Sequence, residues 1–205
     1  MKVLIINGSP HPKGNTQIAL DEMKKVFDQE GIETIEMNIG SKAIRGCIAC
    51  RTCAKTGKCV FDDEVNEAAK AFEECEGLVV GTPVYYGSAN STLVSFLTRL
   101  FFSSNFDKTM KVGASAVVAR RGGISATYDE LNKFFAISGM PIASSQYWNA
   151  IHGREIGEVM KDEEGLQCMR VLARNMSFLM KSIHDGKEKY GLPDKEEPVR
   201  TNFIR

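Results

Sequence analysis

The fold of this chain is decided by residues 2–16, which read KVLIINGSPHPKGNT. A short β-branched run, Lys2 to Ile6, is followed by a Gly-Ser-Pro turn and then by Gly14-Asn15-Thr16. Beyond it, apolar residues recur at helical spacing until Gly31, with Asn15 or Thr16 as the expected helix cap. A strand that passes through a polar loop into a helix is the opening unit of an α/β fold.

The same alternation of short apolar runs and helical patterns continues outward from this unit. It predicts further strands over residues 33–38, 77–82, 111–119 and 142–147, and a last helix over about 165–184. Strands that are apolar throughout belong in a parallel sheet covered on both faces. The pattern therefore predicts one α/β domain with a doubly wound, five-stranded parallel sheet. We place this domain at residues 1–184, with a cysteine loop, 46–59, inserted after the second strand and a C-terminal tail at 185–205.

Composition excludes several classes of partner. The 205 residues contain 26 basic and 26 acidic side chains without long blocks of either sign, so we expect no nucleic-acid partner. No apolar stretch is long enough to cross a bilayer, and no secretory signal is recognisable, so we expect no membrane partner and a cytoplasmic location. Thiols stay reduced in that compartment, so the 6 cysteines indicate metal or redox chemistry rather than disulfides.

The loop between the first strand and the first helix has the properties of a phosphate site. Its backbone N–H groups and the positive end of the helix point to the space above the strand, and Ser9, Asn15 and Thr16 can add side-chain donors. The loop matches neither the Gly-x-Gly-x-x-Gly fingerprint nor a Walker motif, which excludes a typical nucleoside triphosphatase. An ordinary strand-to-helix turn remains the alternative on pattern alone.

Three motifs carry a resemblance to a known family. Residues 8–10 and 14–16, GSP and GNT, resemble the FMN-phosphate loop of the NADPH-dependent FMN reductase and iron-sulfur flavoprotein families, within the flavodoxin-like superfamily. Residues 81–88, GTPVYYGS, resemble the family's loop along the isoalloxazine ring, and residues 119–123, ARRGG, lie where the family again contacts flavin. The likeness implies the sheet order 2-1-3-4-5, with FMN above the crevice between the first and third strands.

The resemblance implies a set of cofactor-binding residues from four segments. They are Ser9, Pro10, Lys13, Gly14, Asn15 and Thr16 for the phosphate; Pro83, Val84, Tyr85, Tyr86, Gly87 and Ser88 along the ring; Arg120, Arg121 and Gly122 after the fourth strand; and Trp148 as a wall completed between subunits. Pro83 and Gly87 let the backbone approach a flat ring, and an arginine near its carbonyl side favours the anionic reduced flavin. Strand-end packing of the aromatic residues and a solvated arginine pair remain the alternatives.

Four cysteines form the second chemical motif. Cys47, Cys50, Cys53 and Cys59 have the spacing C-x2-C-x2-C-x5-C, which is typical of iron-sulfur binding and resembles the compact motif of the iron-sulfur flavoproteins, which holds a 4Fe-4S cluster. Redox-active thiols and a structural zinc site remain open. Because the loop follows the second strand, it leaves the sheet at the same edge as the flavin loops.

The resemblance, taken together with these motifs, implies an FMN-dependent NAD(P)H oxidoreductase that is a homodimer or homotetramer. NAD(P)H would reduce the flavin by hydride transfer, and a small-molecule acceptor such as a quinone or free flavin would then be reduced. His152 is a candidate proton donor for that acceptor. One alternative is an electron carrier with FMN and a 4Fe-4S cluster that accepts electrons from a ferredoxin-like protein. Another is a zinc-binding or thiol redox-sensing module.

Overall fold

The computed structural model describes residues 1–201 and Phe203. A parallel sheet has the order β2-β1-β3-β5-β6, and β4 pairs with β3 as an antiparallel hairpin. The strands are β1 (Lys2–Asn7), β2 (Glu33–Asn38), β3 (Gly77–Tyr85), β4 (Ser88–Ala89), β5 (Val112–Ala119) and β6 (Ala150–His152). The helices are α1 (Asn15–Gln29), α2 (Cys53–Thr56), α3 (Glu64–Glu73), α4 (Ser91–Ser103), α5 (Ile124–Ala136) and α6 (Glu163–Tyr190), with a 3₁₀ turn at Glu158–Lys161. Without the hairpin strand, this is the predicted order 2-1-3-4-5.

The sheet separates two apolar cores. Successive side chains of a strand point to opposite faces, so Val3 and Ile5 of β1 pack with α1 and α6, whereas Leu4 and Ile6 pack with α3, α4 and α5. All four of these β1 side chains are fully buried. This two-sided burial explains why the central strands are apolar throughout. Because β1 pairs in parallel with both β2 and β3, the carboxyl ends of the three strands lie at one edge.

The predicted fifth strand, 142–147, is wrong. Ile142 forms only an isolated bridge to Gly113, and the strand that pairs with β5 is β6, further along the chain. The Asn149 amide explains the difference, because its Oδ1 accepts from the Ser145 N–H at 3.0 Å and its Nδ2 donates to the Ala143 carbonyl at 3.2 Å. These bonds close residues 143–149 into a loop instead of leaving their backbone groups for the sheet.

Two element ends also differ from prediction. Strand β3 was expected to end at Thr82 but continues to Tyr85, because Val84 and Tyr85 pair with the returning β4. Helix α6 continues beyond residue 184 to Tyr190, so the first residues of the predicted tail are helical. Residues 202, 204 and 205 of that tail lie outside the described residues. In the described part of the chain, none of the helices is long and apolar enough for a membrane crossing.

Candidate functional site

The loop between β1 and α1 is closed by short local contacts. The Gly8 N–H donates to the Gly81 carbonyl of β3 at 2.8 Å, the Ser9 N–H to Asn7 Oδ1 at 2.9 Å, and the His11 N–H to Ser9 Oγ at 3.1 Å. Ser9 and Thr16 are buried, whereas Lys13 is exposed. The expected cap at Asn15 or Thr16 is wrong, because Gly14 is the N-cap and no side chain caps α1. The first-turn N–H groups of α1 are therefore left for another acceptor.

The Asn15 side chain bonds the loop that follows β6. Its Nδ2 donates to the Glu155 carbonyl at 2.9 Å, and its Oδ1 accepts from the Gly157 N–H at 2.8 Å. Gly153 lies close by, since a Cβ there would stand 3.1 Å from the Asn15 amide. Asn15 thus joins the loop after β1 to the loop after β6.

Sequence reasoning missed Asn90, which connects three segments of the sheet edge. Its Nδ2 donates to the Gly8 carbonyl at 2.6 Å and to the Gly40 carbonyl at 3.5 Å, and its Oδ1 caps α4 by accepting from the Thr92 N–H at 3.2 Å. The side chain is buried. The sequence Asn90-Ser91-Thr92 carries a readable helix-cap signal, but no local pattern reveals the contacts with Gly8 and Gly40.

Residues 84–89 form a tight hairpin at the end of β3. Tyr86 and Gly87 both have positive φ, 52° and 77°, as the two central residues of a type I′ turn require. Tyr86 is fully exposed and Tyr85 is 42% exposed, and burial raises the pKa of Tyr85. Glu130, which the sequence analysis also missed, accepts from Ser88 Oγ at 2.7 Å and from the Ala89 N–H at 2.9 Å. The hairpin is thus tied to α5.

The loop after β5 packs directly on this hairpin. A Cβ on Gly123 would stand 2.7 Å from Val84 Cγ1 and 2.9 Å from the Gly87 Cα, so only glycine fits at this contact. The structure therefore brings the second and third predicted flavin motifs together. Tyr85, Tyr86 and Ser88 line a shallow cavity on one side of the hairpin.

A second cavity, of about 340 Å³, lies between the start of α5 and the start of α6. Four predicted residues line it, namely Arg121, Gly122, Trp148 and His152. Asp162 orients His152, since its Oδ2 accepts from the His152 N–H at 2.7 Å and stands 3.3 Å from Nδ1. Arg120 is exposed and lines an adjoining cavity together with Arg121.

All four cysteines of the predicted metal motif line one cavity, and all four are free thiols. Its remaining walls are mainly apolar and consist of Ile48, Ala49, Val60, Phe61 and Phe102, with Arg51, Arg99 and Ser103. Hydrogen bonds from Thr52 lower the pKa of Cys50. Within residues 1–201 and Phe203, no three His, Cys, Asp or Glu side chains lie close enough together to hold a single metal ion.

Cys59 is held more firmly than the other three cysteines. Asn66 bonds both of its backbone polar groups, with Oδ1 accepting at 2.9 Å and Nδ2 donating at 3.2 Å. The Arg99 Nε donates to Cys59 Sγ at 3.2 Å, and the same guanidinium forms an ion pair with Asp63 at 2.7 Å. Burial alone would lower the pKa of Arg99, but the hydrogen bonds to Asp63 and Cys59 outweigh it and raise the pKa.

Comparison with known proteins identifies the family. The model of the NADPH-dependent FMN reductase family matches residues 1–155. The chain belongs to this family. An iron-sulfur flavoprotein of Methanocaldococcus jannaschii is 32% identical over 191 residues, which cover 89% of this chain and 99% of that protein. The resemblance predicted from the three motifs is therefore confirmed.

Solved structures support the flavodoxin-like fold of this member of the FMN reductase family. RosB, solved with a bound intermediate, 8-demethyl-8-formylriboflavin-5'-phosphate, aligns with a TM-score of 0.74 at 17% identity over 100% of this chain and 92% of that chain. A flavodoxin from the domain Archaea aligns with a TM-score of 0.59 at 14% identity over 88% of this chain and 99% of that chain. The predicted flavodoxin-like fold is confirmed, and the chain is a flavoprotein of oxidoreductase or electron-carrier type.

Proposed function

We propose that this protein is a cytoplasmic iron-sulfur flavoprotein that binds FMN at the sheet edge and a 4Fe-4S cluster in the cysteine loop. It would transfer electrons between a ferredoxin-like protein and a second acceptor. The observation that carries the proposal is the single cavity lined by Cys47, Cys50, Cys53 and Cys59 in a chain of the FMN reductase family. Relatives with the name iron-sulfur flavoprotein support it.

The flavin half of the proposal rests on the loops after β1, β3 and β5. The uncapped first turn of α1 would bind the FMN phosphate through its backbone N–H groups, with the buried Ser9 and Thr16 hydroxyls beside it. Pro83 to Ser88 would lie along the ring, and Arg120 or Arg121 would stabilise negative charge on it. FMN would supply both one-electron and two-electron chemistry, which lets such a protein join carriers of either kind.

The cluster half rests on the donor set and its surroundings. Four thiolates are the usual ligands of a 4Fe-4S cluster, and apolar walls exclude water from its surface. Ile48, Val60 and Phe102 supply such walls while leaving the cavity close to the protein surface. A partner protein could then approach the cluster without passing the flavin.

One observation favours a second function, the reduction of a small molecule by NAD(P)H. The cavity of about 340 Å³ beside Arg121 and Trp148 is of the size that binds small ligands. His152, oriented by Asp162, would deliver a proton to an acceptor bound there. In a homodimer or homotetramer, Trp148 would form part of a wall between subunits.

Anaerobic reconstitution with iron, sulfide and FMN separates these proposals. We expect close to four iron atoms per chain and a broad absorbance near 400 nm that bleaches on reduction, in addition to the flavin bands. Zinc without visible absorbance beyond flavin would contradict the cluster. Stopped-flow absorbance then measures how fast a reduced ferredoxin-like protein, NADH or NADPH bleaches the visible bands, and the fastest reductant identifies the electron donor.

The phosphate loop has its own test. Replacing Ser9 and Thr16 together by alanine removes two buried hydroxyls. Each lost hydrogen bond contributes about 1 kcal/mol, so we expect the dissociation constant of FMN to rise about thirtyfold. Fluorescence titration of the apoprotein measures this constant. The double variant Ser138→Ala/Thr109→Ala, away from the sheet edge, is the control, and equal affinities in both double variants would contradict the assigned loop.

A further inference from the structure

We propose that Arg99 is a positioning residue that fixes Cys59 as a cluster ligand and raises the reduction potential of the cluster. This inference rests on the proposed function, because it requires a cluster in the cysteine loop. Arg99 lies outside the cysteine motif, on helix α4, 40 positions after Cys59 in the sequence.

The contacts of Arg99 use its whole guanidinium. Its side chain is 1% exposed, and its five hydrogen bonds go to Cys59 Sγ, to both oxygens of Asp63, and to the carbonyls of Arg45 and Phe61. A guanidinium has five N–H donors, so each has an acceptor. The group also lies over the Phe61 ring, 5.0 Å from its centroid. Arg99 therefore cannot turn away from Cys59 without breaking several other bonds.

The surroundings of the four cysteines differ in a way that singles out Cys59. Among the hydrogen bonds of the described residues, Cys47 accepts from the Ala49 backbone N–H at 3.4 Å, whereas Cys59 accepts from a buried cation at 3.2 Å. Cys47 and Cys50 are exposed. Cys53 is half-buried at the start of α2. The cluster would thus have one ligand, Cys59, bonded to a buried side chain of another helix, and three ligands carried by the loop and its short helix.

The effect on potential follows from the charge that reduction adds. An electron taken up by the cluster from the flavin or a ferredoxin-like donor adds one negative charge, part of which is carried by the coordinating sulfurs. A hydrogen bond to such a sulfur stabilises the reduced form more than the oxidised form and raises the potential. Asp63 neutralises most of the net charge of Arg99, so the directed Nε–H is the effective group.

A purely structural ion pair between Arg99 and Asp63 is the competing explanation. It predicts a loss of stability when Arg99 is replaced, but no change in the potential of a cluster that still assembles. The two explanations therefore differ in a redox measurement on the loaded protein.

The first experiment compares reconstituted wild-type protein with Arg99→Lys and with the neutral pair Arg99→Gln/Asp63→Asn. Lysine keeps the charge but lacks the fork that serves Asp63 and Cys59 together. We expect the equilibrium constant for reduction to fall about tenfold in both variants, which is a shift of about 59 mV to lower potential for one electron. Redox titration followed by electron paramagnetic resonance measures it, with iron content as the check on assembly.

Arg45→Gln is the matched control. Arg45 also lies over the Phe61 ring, 5.3 Å from its centroid, but its side chain is exposed and Cys59 bonds Arg99 instead. Its removal should leave the potential unchanged. Potentials equal to wild type in both Arg99 variants would overturn the inference.

A measurement on the wild-type protein covers the case in which the Arg99 variants do not fold. In protein labelled with 15N-arginine, we expect a 15N hyperfine coupling to the reduced cluster, and its absence would overturn the inference. A wild-type protein that binds no iron on reconstitution would instead refute the proposed function itself. Iron binding with no coupling and no shift refutes only the role of Arg99.

Discussion

Two loops leave the neighbouring strands β1 and β2 at the same edge of the sheet, and they are built in opposite ways. The loop after β1 is short, is partly buried at Ser9 and Gly14, and presents mainly backbone groups. The loop after β2 is long, residues 45–51 are exposed, and it presents side-chain sulfur. A site made of fixed backbone groups is complete before its ligand binds. A site made of exposed side chains needs its ligand, or a fixed point such as Cys59, to bring it together.

The largest effect should come from Gly40, where the two loops meet. A Cβ there would stand 2.2 Å from the Ser9 carbonyl carbon and 2.3 Å from the Gly8 carbonyl oxygen, and all of these atoms belong to the backbone. We expect Gly40→Ala to lower the free energy of unfolding by about 3 kcal/mol and to weaken FMN binding, because the loop after β1 must move. Urea denaturation and flavin titration measure both effects.

Gly186→Ala is the control for that substitution. Gly186 lies within α6 and an added Cβ meets no atom within 4 Å, so we expect equal or slightly higher stability. Unfolding free energies that agree between Gly40→Ala and wild type would show that the two loops do not depend on each other through this contact.

A second experiment separates the loops chemically. We expect Cys59→Ala to reduce the bound iron at least tenfold while FMN content stays at the wild-type level, since Cys59 is the proposed ligand that Asn66 and Arg99 hold in place. Cys75→Ala, at a buried cysteine outside the cavity, should keep both cofactors. Parallel loss of iron and flavin from Cys59→Ala would mean that the two sites form one unit.

Asn90→Ala tests the loop after β1 in the same way as Cys59→Ala tests the loop after β2. The variant leaves the Gly8 carbonyl without its 2.6 Å donor and removes the cap of α4, and we expect a destabilisation of about 2 kcal/mol. Flavin affinity should fall with it, because Gly8 begins the loop after β1. Asn175→Ala, which removes one exposed amide contact with the Ser144 carbonyl, is the control and should change stability by less than about 1 kcal/mol. Thermal unfolding of the two variants measures both changes in stability, and equal losses in Asn90→Ala and Asn175→Ala would contradict the assigned role of Asn90.

The smallest expected effect is on the pH dependence of stability and comes from Cys75. This cysteine is buried, in contrast to the exposed Cys47 and Cys50 of the loop after β2. Burial raises its pKa from 9.0 to about 11. The unfolded chain therefore releases this proton first, and stability should decline between pH 9 and 11 by about 2 kcal/mol at most. Cys75→Ala should show a flatter dependence over that range, measured by urea denaturation. Parallel curves for the variant and wild type would remove Cys75 as the cause.

The sequence predicts the central strands and both chemical loops because their signals are local. Leu78 to Val80 is apolar because both faces of β3 are buried, and the cysteine spacing spans only a few residues. The prediction of a strand at 142–147 fails because the Asn149 amide bonds the backbone of that segment, which composition does not reveal. The β4 hairpin was missed because Tyr86 occupies a position at which positive φ usually requires glycine or asparagine.

The supporting residues of the site could not be predicted for a different reason. Arg99 has the position of an ordinary helical arginine, and only the packing of α4 buries it against Cys59 and Asp63. Glu130 reaches Ser88 across 42 positions, and Asn90 reaches Gly8 across 82. Contacts of this kind depend on the assembled sheet, so a single sequence without its fold does not carry them.

The shared amide of Asn90 has a thermodynamic consequence for the two loops. One nitrogen donates to the carbonyls of Gly8 and Gly40, so a displacement of either carbonyl alters the bond that the other receives. Coupling free energies are reciprocal. Whatever factor relates occupancy of the cysteine side to flavin affinity must equal the factor by which bound flavin changes retention at the cysteine side, and unchanged FMN content in Cys59→Ala would place that factor close to one.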